Sequence, residues 1–161
     1  YIGVDLSSTS DLTAVSYLIV KDGLYYFKNY YYLPESCIFS NSNREKYKYW
    51  KNTGQLILTS GNVTDYDYIT KDMLECSDIL NIQSVGMING TLHSGYIATD
   101  EGLPLEEYSQ SIGNFNQPTK ELERLILSGK VIIDNNEITR WCFANVQIKE
   151  DHNANIKPIK T

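Results

Sequence analysis

The sequence predicts a mixed α/β fold: three antiparallel strands, then αβ crossovers, with helices on both faces of one sheet. Three observations carry this expectation. A short apolar run, Ile2 to Leu6, stops abruptly in small polar residues. Two long runs rich in β-branched and aromatic residues follow, joined by the turn signal Lys21-Asp22-Gly23. After these, stretches with helical spacing alternate with short apolar runs, the pattern of αβ crossovers.

Taken in order, Ile2-Gly3-Val4-Asp5-Leu6 reads as a buried first strand. Thr13 to Val20 and Leu24 to Leu33 form the hairpin behind it. Pro34 to Gly61 is less regular, with a mixed aromatic and basic stretch from Arg44 to Lys51 and a strand-like run from Gln55 to Thr59. Thr64 or Asp65 can cap a helix in which Ile69, Met73, Cys76 and Leu80 recur at helical spacing. Ile82 to Ile88 reads as a fourth strand, Leu92 to Thr99 as a helix ending near Gly102, and Leu105 to Ser111 as a fifth strand. Pro118 marks the start of a helix with Leu122, Leu125 and Ile126 on one face, and Gly129 ends it. Val131 to Ile133 and Ile138 to Trp141 flank a polar turn, Asp134 to Glu137, and the tail from Lys149 is polar. With no repeat or linker, residues 1–161 are expected to form a single domain.

Composition narrows the chemistry. Among 161 residues, three cysteines (Cys37, Cys76 and Cys142) without C-x-x-C spacing argue against a disulfide framework and a zinc site, and fit a reducing cytoplasm. Two histidines are too few for a histidine-rich centre, so any metal would be a hard cation on carboxylate oxygens, Mg²⁺ or Mn²⁺. No apolar run is long enough to span a bilayer, so no membrane partner is expected. The net charge of −6 has the wrong sign for a module whose affinity rests on neutralising phosphates. Absence of a G-x-x-x-x-G-K-[ST] loop excludes an ATP-driven motor within this stretch.

Asp5 is the first candidate for chemistry. It closes an apolar strand beside small residues that let a ligand approach, where an aspartate can hold a divalent ion for phosphoryl chemistry. The same residue also suits a turn cap, since Asp readily hydrogen-bonds its own backbone.

Gly3-Val4-Asp5-Leu6-Ser7-Ser8-Thr9-Ser10-Asp11-Leu12-Thr13-Ala14 resembles the opening of the nuclease domain of the tailed-phage terminase large subunit, an RNase H-like domain. Later segments resemble the same family in the same order: Tyr32-Leu33-Pro34-Glu35, Gly61-Asn62-Val63, Lys120-Glu121-Leu122-Glu123, Arg140-Trp141-Cys142, and Asp151 with Asn155 and Lys157-Pro158. The resemblance implies a metal-dependent endonuclease that cuts concatemeric viral DNA during packaging, in the cytoplasm of a bacterial host. It implies Asp5 and Asp151 as catalytic metal ligands, a two-metal Mg²⁺ or Mn²⁺ site, and Asp11 as a supporting acid or a cap. Double-stranded DNA, an ATPase domain N-terminal to Tyr1, a small subunit and the portal are the implied partners.

One departure bears on activity. The family carries an aspartate at the end of the fourth strand, where this chain reads Gly86-Met87-Ile88-Asn89. The best register places Ile88 there and a one-residue slip places Asn89; neither is charged. Asp65, Asp67, Asp100 or Glu101 is then a candidate substitute acid. For DNA contact the candidates are Lys149, Lys157, Lys160 and Arg140, and the basic-aromatic stretch from Arg44 to Lys51. Two other readings stay open: a nuclease-fold domain that binds DNA or a partner without cutting, and an actin-like or sugar-kinase-type nucleotide-binding domain, whose opening turn Gly3 to Thr9 resembles.

Overall fold

The computed structural model describes residues 1–88 and 102–160. Strand β1 (Ile2–Asp5) sits at the centre of a seven-stranded sheet, flanked by β2 (Thr13–Lys21) and β5 (Val85–Ile88). Beyond β2 lies β3 (Leu24–Pro34), whose outer edge carries both β4 (Ile57–Thr59) and β7 (Val131–Ile133); beyond β5 lies β6 (Leu105–Tyr108). The order is β4-β3-β2-β1-β5-β6, and β2 alone runs against its neighbours. Mixed pairing follows from connection length. β2 and β3 join through Asp22 and Gly23, both at positive φ (53° and 74°), as a two-residue hairpin needs. Parallel β1 and β5 are far apart in sequence, with room for helices between them.

Both faces are covered. On one, Val4, Val15, Tyr32, Val85 and Met87 meet Ile69 and Met73 of α3 (Tyr66–Ser77). On the other, Tyr31 and Leu33 meet Ile38 of α1 (Cys37–Ser40), Tyr47 and Trp50 of α2 (Arg44–Asn52), and Ile138 of α5 (Glu137–Asn145). A strand's alternating side chains are what allow one sheet to carry two cores. The remaining helix, α4 (Ile112–Leu127), packs against β9 (Ile156–Ile159), which pairs antiparallel with β8 (Gln147–Glu150) in a separate hairpin.

Four elements differ from, or add to, the sequence reading. The basic-aromatic stretch is helix α2: Tyr47 and Trp50, one turn apart, are buried, while Arg44, Glu45 and Lys51 face solvent. Helix α4 begins at Ile112 under a Ser111 cap, so Pro118 lies inside it, not at its start. Ile138 to Trp141 belong to α5, because the buried Asn136 side chain accepts from the N–H groups of Ile138 (2.8 Å) and Thr139 (3.4 Å) and starts a helix. The polar tail folds into the β8–β9 hairpin. The helix expected at Leu92 to Thr99 lies outside the described residues.

Candidate active site

Asp5 ends the central strand. In register across the sheet run Tyr31, Ala14, Asp5, Ile88 and Tyr108, one residue from each of β3, β2, β1, β5 and β6. Strands paired in register share a face, and Val4 and Met87, one residue earlier, point into the α3 side. Asp5 therefore projects from the opposite face with its side chain 39% exposed. The loop behind it is tied down: Ser7 N–H donates to Thr13 Oγ1 (2.9 Å), Thr64 N–H to Ser8 O (3.2 Å), and Cys37 Sγ to Thr9 O (2.8 Å). A carboxylate on a central strand backed by a fixed loop is held rigidly, as a ligating or catalytic group must be.

Ile88 is the in-register neighbour of Asp5 on β5, the place where a second carboxylate would stand beside the first. Its hydrocarbon chain offers no donor. The ion partner of Asp5 comes from further along the chain: Lys160 Nζ lies 3.8 Å from Asp5 Oδ2. Lys160 follows β9 directly, and its sequence position suggests only a phosphate contact; its approach to Asp5 depends on β9 packing along α4.

Asp151 sits at the β8–β9 turn, its carboxylate engaged locally. Oδ1 accepts from the N–H groups of Asn153 and Asn155 (both 2.9 Å), and Oδ2 from the Asn155 side chain (3.0 Å). The Asn155 side-chain and backbone bonds hold its carboxyl below the usual aspartate range. These bonds fold the turn, with Ala154 at φ 60°. The other candidates are dispersed. Asp65 caps α3, accepting from Tyr68 N–H (3.1 Å). Asp67 is exposed in the first turn of α3. Asp11 is exposed, and its charge, after burial, helps raise the Tyr47 hydroxyl. Asn89, Asp100 and Glu101 lie outside the described residues.

Among the basic candidates, Lys149 and Lys157 are cross-strand partners in the tail hairpin. Lys157 Nζ donates to Gln110 O (2.8 Å). Arg140, bonded to Asn135, borders an open groove between α2 and α5 with Lys46, Tyr49, Trp50 and Trp141. Two acids, Glu45 and Glu137, line the same groove and offset its basic charge.

Among the described residues, no three His, Cys, Asp or Glu side chains gather into a group able to hold a metal ion. The donor they offer a hard cation at the strand ends is the half-exposed carboxylate of Asp5, whose Oδ2 faces Lys160. No helix of the described residues is long and apolar enough to cross a membrane.

Comparison with known proteins agrees with this architecture. The large terminase of Enterobacteria phage HK97 is 25% identical over 166 residues, covering 98% of this chain and 32% of that protein. Its crystal structure superposes with a TM-score of 0.88, at 26% identity over 98% of this chain and 34% of that one. Protein YmfN of Escherichia coli K12 is 28% identical, covering 97% of this chain and 37% of that protein. The large terminase nuclease from thermophilic phage G20c, solved with bound magnesium, shares the fold at a TM-score of 0.63 and 12% identity, covering 99% of this chain and 70% of that one. The chain thus spans about a third of the length of the curated relatives it matches. The family model "Terminase large subunit, endonuclease domain" matches residues 1–161, and the chain belongs to that family.

Proposed function

We propose that this domain is a divalent-cation-dependent endodeoxyribonuclease that cuts concatemeric viral DNA during packaging, with Asp5 as its principal catalytic carboxylate. The observation that carries the reading is the placement of Asp5 at the end of the central strand, in a chain of the terminase endonuclease family. Asp5 would hold Mg²⁺ or Mn²⁺, and such an ion supplies an activated water and charge stabilisation for phosphodiester hydrolysis. Asp151 is proposed as a second ligand, and its bonds to Asn155 and Asn153 favour its charged form. A two-cation arrangement calls for further carboxylates beyond those that the described residues bring together. The chain's own groups bind and orient: Lys149, Lys157 and Arg140 are the proposed phosphate contacts, and the pinned loop Ser7 to Thr9 fixes the Asp5 backbone. Double-stranded DNA, an ATPase domain of the same polypeptide, a small subunit and a portal are the proposed partners, in the cytoplasm of a bacterial host.

A second reading is favoured by one observation, the pairing of Ile88 with Asp5. On this reading the domain keeps the fold and binds DNA or a partner without cutting. Plasmid cleavage in Mn²⁺ by the parent, Asp5→Asn and Ile88→Asp separates the two. The expected outcome is slow cutting by the parent that Asp5→Asn abolishes without loss of fold. No cutting by the parent, with cutting gained in Ile88→Asp, would establish the second reading. Full activity in Asp5→Asn would overturn the assignment of Asp5.

A further inference from the structure

Asp5 has uncharged neighbours on both sides in the sheet, Ala14 on β2 and Ile88 on β5. Its ion partner is delivered from the tail. Lys160 Nζ stands 3.8 Å from Asp5 Oδ2, with side-chain exposures of 70% and 39%. The element that brings it there is anchored at several points. Strand β9 pairs with β8 and packs on α4. Ile156 N–H donates to Asn116 Oδ1 (3.1 Å), Lys157 Nζ to Gln110 O (2.8 Å), and Lys120 Nζ to Ala154 O (2.9 Å). The charge of Lys160 is also felt at Cys142 of α5, where burial raises the thiol and the Lys160 charge opposes that rise. The ammonium therefore stands beside the end of β1, at the carboxylate of Asp5.

A divalent cation and an ammonium cannot both sit against one carboxylate without mutual repulsion, because both carry positive charge. In a site with a second acid at the Ile88 position, both cations could be accommodated. With isoleucine there, the single charge of Asp5 is shared or contested.

We infer that Lys160 is an internal counter-cation of Asp5, competing with a divalent ion for its carboxylate and lowering the domain's affinity for that ion. The inference rests on Asp5 being the cation-holding residue, as proposed above. It makes cation loading conditional on displacement of one side chain at the end of β9. An exposed pair at this distance is weak, so the effect is a modest one.

The test is Mn²⁺ binding to the purified chain, read from the electron paramagnetic resonance signal of free Mn²⁺, which needs no cleavage. Lys160→Gln is expected to tighten binding by about two- to fivefold, the range that corresponds to an exposed ion pair. Lys160→Arg should keep the parent affinity, since it keeps the charge. Asp5→Asn should weaken binding and cancel the gain of Lys160→Gln in the double variant. Unchanged or weaker binding in Lys160→Gln, with Asp5→Asn still weakening it, would overturn this inference and leave Asp5 in its role. Parent-like binding in Asp5→Asn would instead remove the cation-holding role itself. Matching circular dichroism and thermal unfolding of all variants exclude loss of fold as the cause.

Discussion

At the scale of single residues, the proposed chemistry turns on what stands next to Asp5. The β1–β5 register puts Ile88 beside it, so a hydrocarbon side chain without a donor atom stands there at the strand ends. Introducing Ile88→Asp places a carboxylate beside Asp5. It is expected to raise Mn²⁺ affinity on the order of tenfold, equivalent to one contact with a charged group. A titration of free Mn²⁺ checks this, and no gain would mean that the two side chains do not converge on a common ion. Asp151 shows the other use of an acid. Three hydrogen bonds within its own turn depress its pKa, so the folded chain holds that proton less tightly than the unfolded chain. The resulting stabilisation is complete above the unfolded carboxyl's pKa and is lost as pH falls through the folded one. Asp151→Asn should flatten the acid limb of a stability-against-pH curve, measured by urea unfolding between pH 3 and about pH 6, where ordinary aspartates finish ionising.

At the scale of elements, α4 contains a proline that its own helix does not need to repair alone. Pro118 lacks the N–H that would bond to Asn114 O, four residues earlier. The Tyr108 hydroxyl, at the end of β6, donates to that carbonyl instead, at 2.7 Å. The Tyr108 and Phe115 rings also meet edge to face, with centroids 5.7 Å apart. Tyr108→Phe is expected to cost about 0.5–1 kcal/mol, the net value of one hydrogen bond, and much less in a Pro118→Ala background, where the helix satisfies Asn114 itself. A double-mutant cycle by urea unfolding decides, and equal costs in both backgrounds would disconnect the hydroxyl from the proline. The sequence suggested a helix start at Pro118 because proline is tolerated there. The Ser111 cap starts the helix earlier, and the Tyr108 hydroxyl at the end of β6 satisfies the carbonyl that Pro118 leaves open.

At the scale of the whole molecule, one sheet carries two cores, and helices from distant segments close each. Leu33 and Ile138 are fully buried on the α2–α5 face, while Ile19 near the β2–β3 hairpin end is 46% exposed. Ile138→Ala should destabilise by about 2–5 kcal/mol, combining lost burial with the cavity left behind. Ile19→Ser should stay within about 0.5 kcal/mol, as exposed substitutions usually do. Chemical denaturation of the two variants tests this division; a comparable loss at Ile19 would place a further packed surface over the hairpin end.

Local pattern by itself determined the three opening strands, the Asp22-Gly23 turn and the α3 periodicity over Ile69, Met73 and Cys76, while Leu80 lies beyond the end of that helix. These depend on alternation, turn chemistry and spacing that neighbouring residues already express. It also placed Ile88 correctly in the fourth strand, but pairing with Asp5 is a relation between strands more than eighty residues apart in the chain, fixed only by the sheet. Helix α2 is hidden in the sequence because only two aromatics, Tyr47 and Trp50, are buried on a strongly charged background, and the sheet face beneath them is what gives those two a place. The approach of Lys160 to Asp5 was likewise invisible: it requires the tail hairpin to dock on α4, and contacts between distant segments are decided by packing, which no local sequence signal encodes.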